Sequence, residues 1–166
     1  LGETLLLSGP GAATTCGWWH PTEEGLVLYG STLVKPETTN QPGYQRGTGR
    51  YKWAFPVEME IVTQRIDERA DRLAAGEPKV MFSREGYDAE ASWSPDGRHV
   101  LYANVDTAKS ESLGRPDADL WVYDTETGLH TIVVEAEGYD GGPFFSPDGT
   151  WITYRSDRRG DNLLQL

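Results

Sequence analysis

The sequence predicts an all-β chain: a partial β-propeller of four-stranded antiparallel blades, with about two full blades, a leading strand and a trailing half blade. Three observations carry that expectation. The words EGYD and SPDG occur at 85–88 and 94–97 and again at 137–140 and 146–149, both at an offset of 52 residues. A fixed period of that size marks one supersecondary unit per copy. Runs such as GLVLYG and HVLYAN are apolar almost throughout, the pattern of a strand buried on both faces. Finally, 19 Gly and 10 Pro stand beside 6 Trp, 8 Tyr and 4 Phe, a composition suited to short strands and tight turns.

Each SPDG word reads as a hairpin turn. Pro presets φ at about −65°, Asp fits the position after it, and Gly takes the positive φ that follows. Ser94, Pro95, Asp96 and Gly97 therefore join a strand over 88–93 to one over 98–105. Ser146, Pro147, Asp148 and Gly149 join 143–145 to 151–154 in the same way. A weaker copy lies at 13–32, with aromatics before the turn, Pro21 in it and Gly25 closing it. Pro21 precedes Pro95 by 74 residues rather than 52, so this unit carries an insertion, placed at 34–57 where the chain is polar and Gly-rich. Third strands are expected at 58–63 and 119–124, and fourth strands at 79–82 and 130–135. Residues 67–75 (DERADRLAA) are expected to form one or two helical turns.

The chain then divides into one partial propeller. Residues 1–12 carry the last strand of a preceding blade (3–8), 13–84 the first blade, 85–136 the second, and 137–166 the start of a third, with 157–166 a turn leading into its third strand. A piece of this kind exposes the apolar sides of its outer blades, so the remaining blades are expected from the parent chain or from a second copy.

The net charge of −11 argues against nucleic acid as the main partner, because phosphate binding needs a basic surface. A protein or peptide with a basic patch suits it better. No apolar window reaches the length that spans a membrane, so no membrane insertion is expected. Cys16 is the one cysteine, which leaves no intrachain disulfide. No charged region followed by an apolar stretch marks a signal peptide in this segment.

Reactive chemistry was sought by spacing. Cys16 and His20 stand four apart on one strand face, without any recurrent metal-ligand spacing. They read as a small core residue and a turn residue. Residues 157–162 place acids around Gly160 without the order of a calcium loop, and Asp117 and Asp119 do no better. No metal and no cofactor is expected. No Gly-x-Ser-x-Gly elbow occurs, so no catalytic residue is assigned. The GYD word remains. Tyr87, Asp88, Tyr139 and Asp140 precede the innermost strand of each blade, near one mouth of the central channel. Repetition favours a packing role for each Tyr and a backbone-capping role for each Asp. The functional alternative makes these four, with Glu90 and Arg155, a binding ring at the channel mouth, where Tyr offers large rigid contact area.

The words GYDAEASWSPDG, YDGGPFFSPDG, DLWVYDTETG, YRSDRRGDNLLQL, TTCGWWHP and LVLYGST resemble the repeats of TolB-like β-propeller proteins, over about residues 3–33 and 58–166. The family includes the periplasmic propeller of the bacterial Tol–Pal envelope system. The resemblance implies a propeller fold, a periplasmic or secreted setting, and a non-enzymatic module that binds a protein or peptide. The first unit departs from the pattern by lacking SPDG and by its long insertion. Similar propellers also precede the catalytic domain of prolyl-oligopeptidase-like serine peptidases, where they gate substrate entry. That is the alternative reading, with the catalytic domain outside this chain. A propeller lyase for acidic sugars ranks last, since the three His are widely spread.

Overall fold

The computed structural model describes residues 4–37, 44–45, 50–51, 55–69, 72–160 and 164–166. Its elements run β1 (Thr14–Trp19), β2 (Leu26–Ser31), β3 (Tyr44–Gln45), β4 (Arg50–Tyr51), β5 (Glu60–Arg69), β6 (Arg72–Ala75), β7 (Lys79–Phe82), β8 (Tyr87–Trp93), β9 (His99–Val105), α1 (Thr107–Leu113), β10 (Ala118–Asp124), β11 (His130–Val134), β12 (Asp140–Phe145) and β13 (Ile152–Ser156).

The middle blade is a four-stranded antiparallel meander, β8 to β11 in spatial order. The first blade pairs β1 with β2 and β2 with β5. Beyond β5 the sheet forks, because β7 pairs with Ile61–Thr63 and β6 with Ile66–Arg69 of the same strand. The third blade contributes β12 and β13, and a bridge from Ser156 to Gln165 starts its next strand. The inner strands are β1, β8 and β12, and β8 touches both of the others. The result is an arc of a β-propeller.

The middle blade is buried on both faces, and strand alternation decides which residue goes where. Val100 and Tyr102 of β9 join Trp93 against Leu28, Ile61 and Phe82 of the first blade. Leu101 and Ala103, one position out of phase, join Leu120 against Phe145, Ile152 and Tyr154 of the third. This is why HVLYAN reads as a continuous apolar run. Burying each large side chain contributes about 1.5–3 kcal/mol, so these two interfaces dominate the stability of the arc.

The turns are wired alike. Ser94 Oγ accepts from His99 N (2.8 Å) and donates to Asp96 Oδ1, which also accepts from Arg98 N (3.0 Å). Ser146 Oγ, Asp148, Thr150 and Trp151 repeat the pattern, with Trp151 N donating to Ser146 Oγ at 3.0 Å. These bonds hold the Asp148 carboxyl well below its usual range, at about 2. In the first blade His20 takes the place of Ser: its Nδ1 accepts from Glu23 N at 2.9 Å. Its other ring nitrogen lies 3.2 Å from Gly97 O, and the ring meets Trp93 edge-on. His20 thus caps its own turn and ties it to the next blade.

Two expectations are corrected. Of residues 67–75, the described ones, 67–69 and 72–75, lie in strands and not in a helical turn. The ladder of β5 runs on through Arg65, whose neighbour Ile66 donates to Gly25 O at 2.7 Å, and then returns as β6. Helix propensity is a weak preference, and an available strand partner overrides it. Residues 4–8 form no strand, and Glu3 lies outside the described residues. Leu7 instead packs with Leu33 and Ile66 over Val27, Tyr29 and Val62, covering the outer face of the first blade. Most of the insertion also lies outside the described residues, apart from the short β3–β4 pair. One helix, α1, went unanticipated although its signals are in the sequence. The Asp106 side chain accepts from Lys109 N, and Gly114 closes the end at φ 67°.

Gly97 needs both its positive φ of 76° and its missing side chain, since a Cβ there would lie 2.4 Å from His20 Cε1. Gly128 shares the backbone conformation, φ 72°, but faces open space. Gly97→Ala is therefore expected to destabilise by about 2 kcal/mol and Gly128→Ala by about 1 kcal/mol. Urea unfolding of both variants checks the difference, and equal losses would remove the interblade role given to His20.

Candidate functional site

The inner strands carry one irregularity in common. Register shifts interrupt β1 between Thr14 and Gly17, β8 between Ala89 and Ser92, and β12 between Gly141 and Phe144. Counting back from the turns, Cys16, Glu90 and Gly142 occupy the same position, each four residues before the turn residue His20, Ser94 or Ser146. A β-bulge of this kind re-aims a side chain. Gly142 adopts φ 58° there, and Glu90 adopts φ 55°. The left-handed region is natural for Gly, whereas Glu holds it at a cost of about 1–2 kcal/mol.

What holds Glu90 is a set of three donors from the third blade. Tyr139 Oη donates to Oε2 at 2.7 Å, Gly142 N donates to the same oxygen at 2.6 Å, and Arg155 Nη2 donates to Oε1 at 2.8 Å. The carboxylate is 9% exposed and the guanidinium 35%. Arg155 pairs with Gly141 across β12–β13, and it reaches Glu90 over the bare Cα of Gly142. A Cβ on Gly142 would stand 2.6 Å from Arg155 Nη2. The middle blade has Ala103 at the corresponding place, opposite Ala89. Acid and base thus sit in different blades, each where its neighbour is small.

Cys16 is exposed on β1 of the first blade. Desolvation by the surrounding wall pushes its thiol up, the Glu90 carboxylate adds to this, and Arg155 opposes it. Three blades therefore meet electrostatically at one spot. Beside it, Trp18 and Phe144 follow two residues after Cys16 and Gly142, each 40% exposed, with ring centroids 5.2 Å apart. The corresponding residue of the middle blade is Ser92, buried with its hydroxyl donating to Pro143 O at 3.0 Å. Its small size lets the two aromatics meet across it.

The other sequence-stated candidates are placed differently. Tyr87 is buried with Met59, Ala89, Val105 and Ala118, with Phe55 edge-on at 5.1 Å. Asp88 is buried, accepting from Arg84 N at 3.0 Å and Asn104 Nδ2 at 2.8 Å. Burial raises its carboxyl to about 6 against the pull of those bonds. Asp140 is buried against Arg158 Nη2 at 2.9 Å. Glu90, Tyr139 and Arg155 come together; Tyr87, Asp88 and Asp140 are held by their own neighbourhood. Burial, then the Glu90 carboxylate, pushes the Tyr139 phenol far up, so it is a fixed donor. Trp18 and Phe144 are the members that motif reading missed, and Cys16, expected as a small core residue, is exposed instead. Their signal was positional, since each stands at a fixed distance from its turn. Among the described residues no group of three or more His, Cys, Asp or Glu could hold a metal ion. Asp117, weighed above as a calcium ligand, pairs with Lys109 Nζ at 2.7 Å and caps Gly138 N at 2.9 Å.

Three packed antiparallel units around a bulged inner edge define a repeat-built β-propeller segment. The chain carries the TolB-like propeller fold. A crystal structure of TolB from Acinetobacter baumannii superposes with a TM-score of 0.59 at 18% identity, over 92% of this chain and 28% of that one. In sequence, dipeptidyl-peptidase 5 of Porphyromonas gingivalis is 38% identical over 90% of this chain and 25% of its own. Dipeptidyl-peptidase 5 of Porphyromonas endodontalis is 34% identical over 95% of this chain and 25% of its own. The chain spans about a quarter of the length of these relatives. No family model matches it.

Two outcomes follow from the charges. Glu90→Ala strands Tyr139 and Gly142 and frees Arg155. It is expected to destabilise by about 2 kcal/mol, below the full cost of breaking a buried pair because Arg155 is partly solvated. Asp88 has a folded pKa of about 6 above its unfolded value of about 4, so the native state binds the extra proton between those values. Its contribution is present below pH 4 and is lost as pH rises through 6. Relative to Asp88→Asn, the parent protein is expected to lose roughly 2–3 kcal/mol across that window. Paired unfolding curves at pH 4, 5, 6 and 7 check this, and a constant difference would show that folding leaves the Asp88 pKa unshifted.

Proposed function

We propose that this chain is a non-catalytic propeller module that binds peptide along its inner edge, at the Cys16, Trp18, Glu90, Tyr139, Phe144 and Arg155 surface. One observation carries the reading. Structural needs of the fold recur in every blade, as the turn wiring and the bulge do. Among the described residues the Glu90–Arg155 pair and the Trp18–Phe144 contact occur once, beside the inner strands. Residues that break a repeat are free to serve a ligand.

The likeness to two dipeptidyl-peptidases favours one setting for this role. The chain is the propeller portion of a peptidase-like parent, admitting and orienting peptides for a catalytic domain located elsewhere in that parent. It supplies no nucleophile itself. The second reading is a free-standing adaptor of the bacterial envelope, as the TolB-like fold suggests. Either setting is periplasmic or secreted, in line with the family resemblance. Both need peptide contact at the inner edge, and neither needs nucleic acid or a cofactor. The parent chain or a second copy supplies the remaining blades.

The test is direct binding. Fluorescein-labelled peptides of two to six residues, each with one aromatic side chain, are titrated with the protein and followed by anisotropy. Saturable binding is expected, weakened about tenfold by Trp18→Ala through loss of a stacking partner. Absence of saturable binding to any peptide, with the protein folded by circular dichroism, would end the reading.

A further inference from the structure

We infer that Arg155 is a carboxylate-binding residue. On the peptide-binding reading above, it receives either the C-terminal carboxylate of the peptide or an acidic side chain. The inference rests on that reading for the ligand and on geometry for the site.

The geometry starts from Gly142. Its left-handed bulge and absent side chain leave room for the guanidinium, whose Nη2 and Nε lie 2.6 and 2.7 Å from where a Cβ would stand. Only Nη2 is engaged, on Glu90 Oε1 at 2.8 Å. Among the described residues, Nε and Nη1 have no hydrogen-bond partner. Glu90 in turn spends its other oxygen on Tyr139 and Gly142. It is therefore a support that fixes the fork, and the rest of the fork remains available. Each remaining N–H of this fixed cation is a charged donor suited to a carboxylate oxygen.

Charge selects the ligand further. A dianionic phosphate would meet the Glu90 carboxylate and a chain of net charge −11, with one half-shared cation to offset them. A single carboxylate brings one negative charge where phosphate brings two, so it is the anion less repelled beside Glu90. The Trp18–Phe144 pair gives the same ligand an apolar surface nearby, so the preferred peptide has an aromatic or aliphatic residue beside its carboxylate.

Three versions of one labelled peptide separate the possibilities: free C-terminus, C-terminal amide, and amide with one internal Asp. The free acid is expected to bind about tenfold more tightly than the amide, the size of one charge-assisted contact. If the Asp-bearing amide regains that affinity, the source is a side chain; if not, it is the terminus. Arg155→Gln is expected to erase the difference, and Arg155→Lys to keep about a third of it, since it retains charge without the fork. Glu90 keeps two donors in either variant, and circular dichroism reports whether each folds. Equal affinity for all three peptides, or discrimination that survives Arg155→Gln, overturns the inference while leaving peptide binding intact. Should no peptide bind, acetate alone is titrated into the isotope-labelled protein. A saturable shift of the Arg155 Nε–H resonance, identified by its loss in Arg155→Gln, would sustain the carboxylate site, and an unmoved resonance would end it.

Discussion

The middle blade depends on being pressed from both sides. Its second strand sends Val100 and Tyr102 one way and Leu101 and Ala103 the other, and each pair meets a complete apolar face of a neighbouring blade. A blade that is apolar on both faces leaves both open to water when alone, so the blades are stable as a stack. Everything at the inner edge follows, because stacking fixes how far apart the inner strands lie. With that spacing set, Trp18 reaches Phe144 past a buried serine, and Arg155 reaches Glu90 over a glycine.

The inner edge shows how a repeat accommodates an exception. The bulge is common to the three units and demands a left-handed residue at two of them. Gly142 meets that demand at no steric cost. Glu90 meets it under strain, and three donors from the next blade hold it there. A buried ion pair is weak support for stability in itself, given what desolvation takes. Its value here is positional: it holds the Arg155 guanidinium in place and links the second blade to the third.

The blades were legible because turns and strands speak locally. Ser-Pro-Asp-Gly specifies its own hydrogen bonds, and the fourth strand of the first blade falls at Lys79–Phe82 as the pattern indicates. The failures were also local. DERADRLAA is rich in helix formers, yet the ladder from Gly25 and Leu26 carried 67–69 into β5, and 72–75 return as β6. The opposite miss is α1: no element was expected at 107–113, although Asp106 and Gly114 mark both ends of a helix. The Tyr and Asp of the repeated GYD word were noticed because they recur, and recurrence is what marks a packing role. Tyr87 and Asp88 are buried accordingly.

The sequence by itself determined that the chain is built of repeated antiparallel units, where their hairpins turn, and that it carries a net charge of −11. Periodicity, turn chemistry and net charge are properties of neighbouring residues and of sums, so no coordinates were needed. Only the tertiary structure decided that Cys16, Glu90 and Arg155 share one electrostatic environment across gaps of 74 and 65 residues. Their meeting depends on strand register and on the bulge at each inner strand, and a shift of one residue in either would turn those side chains to the opposite face.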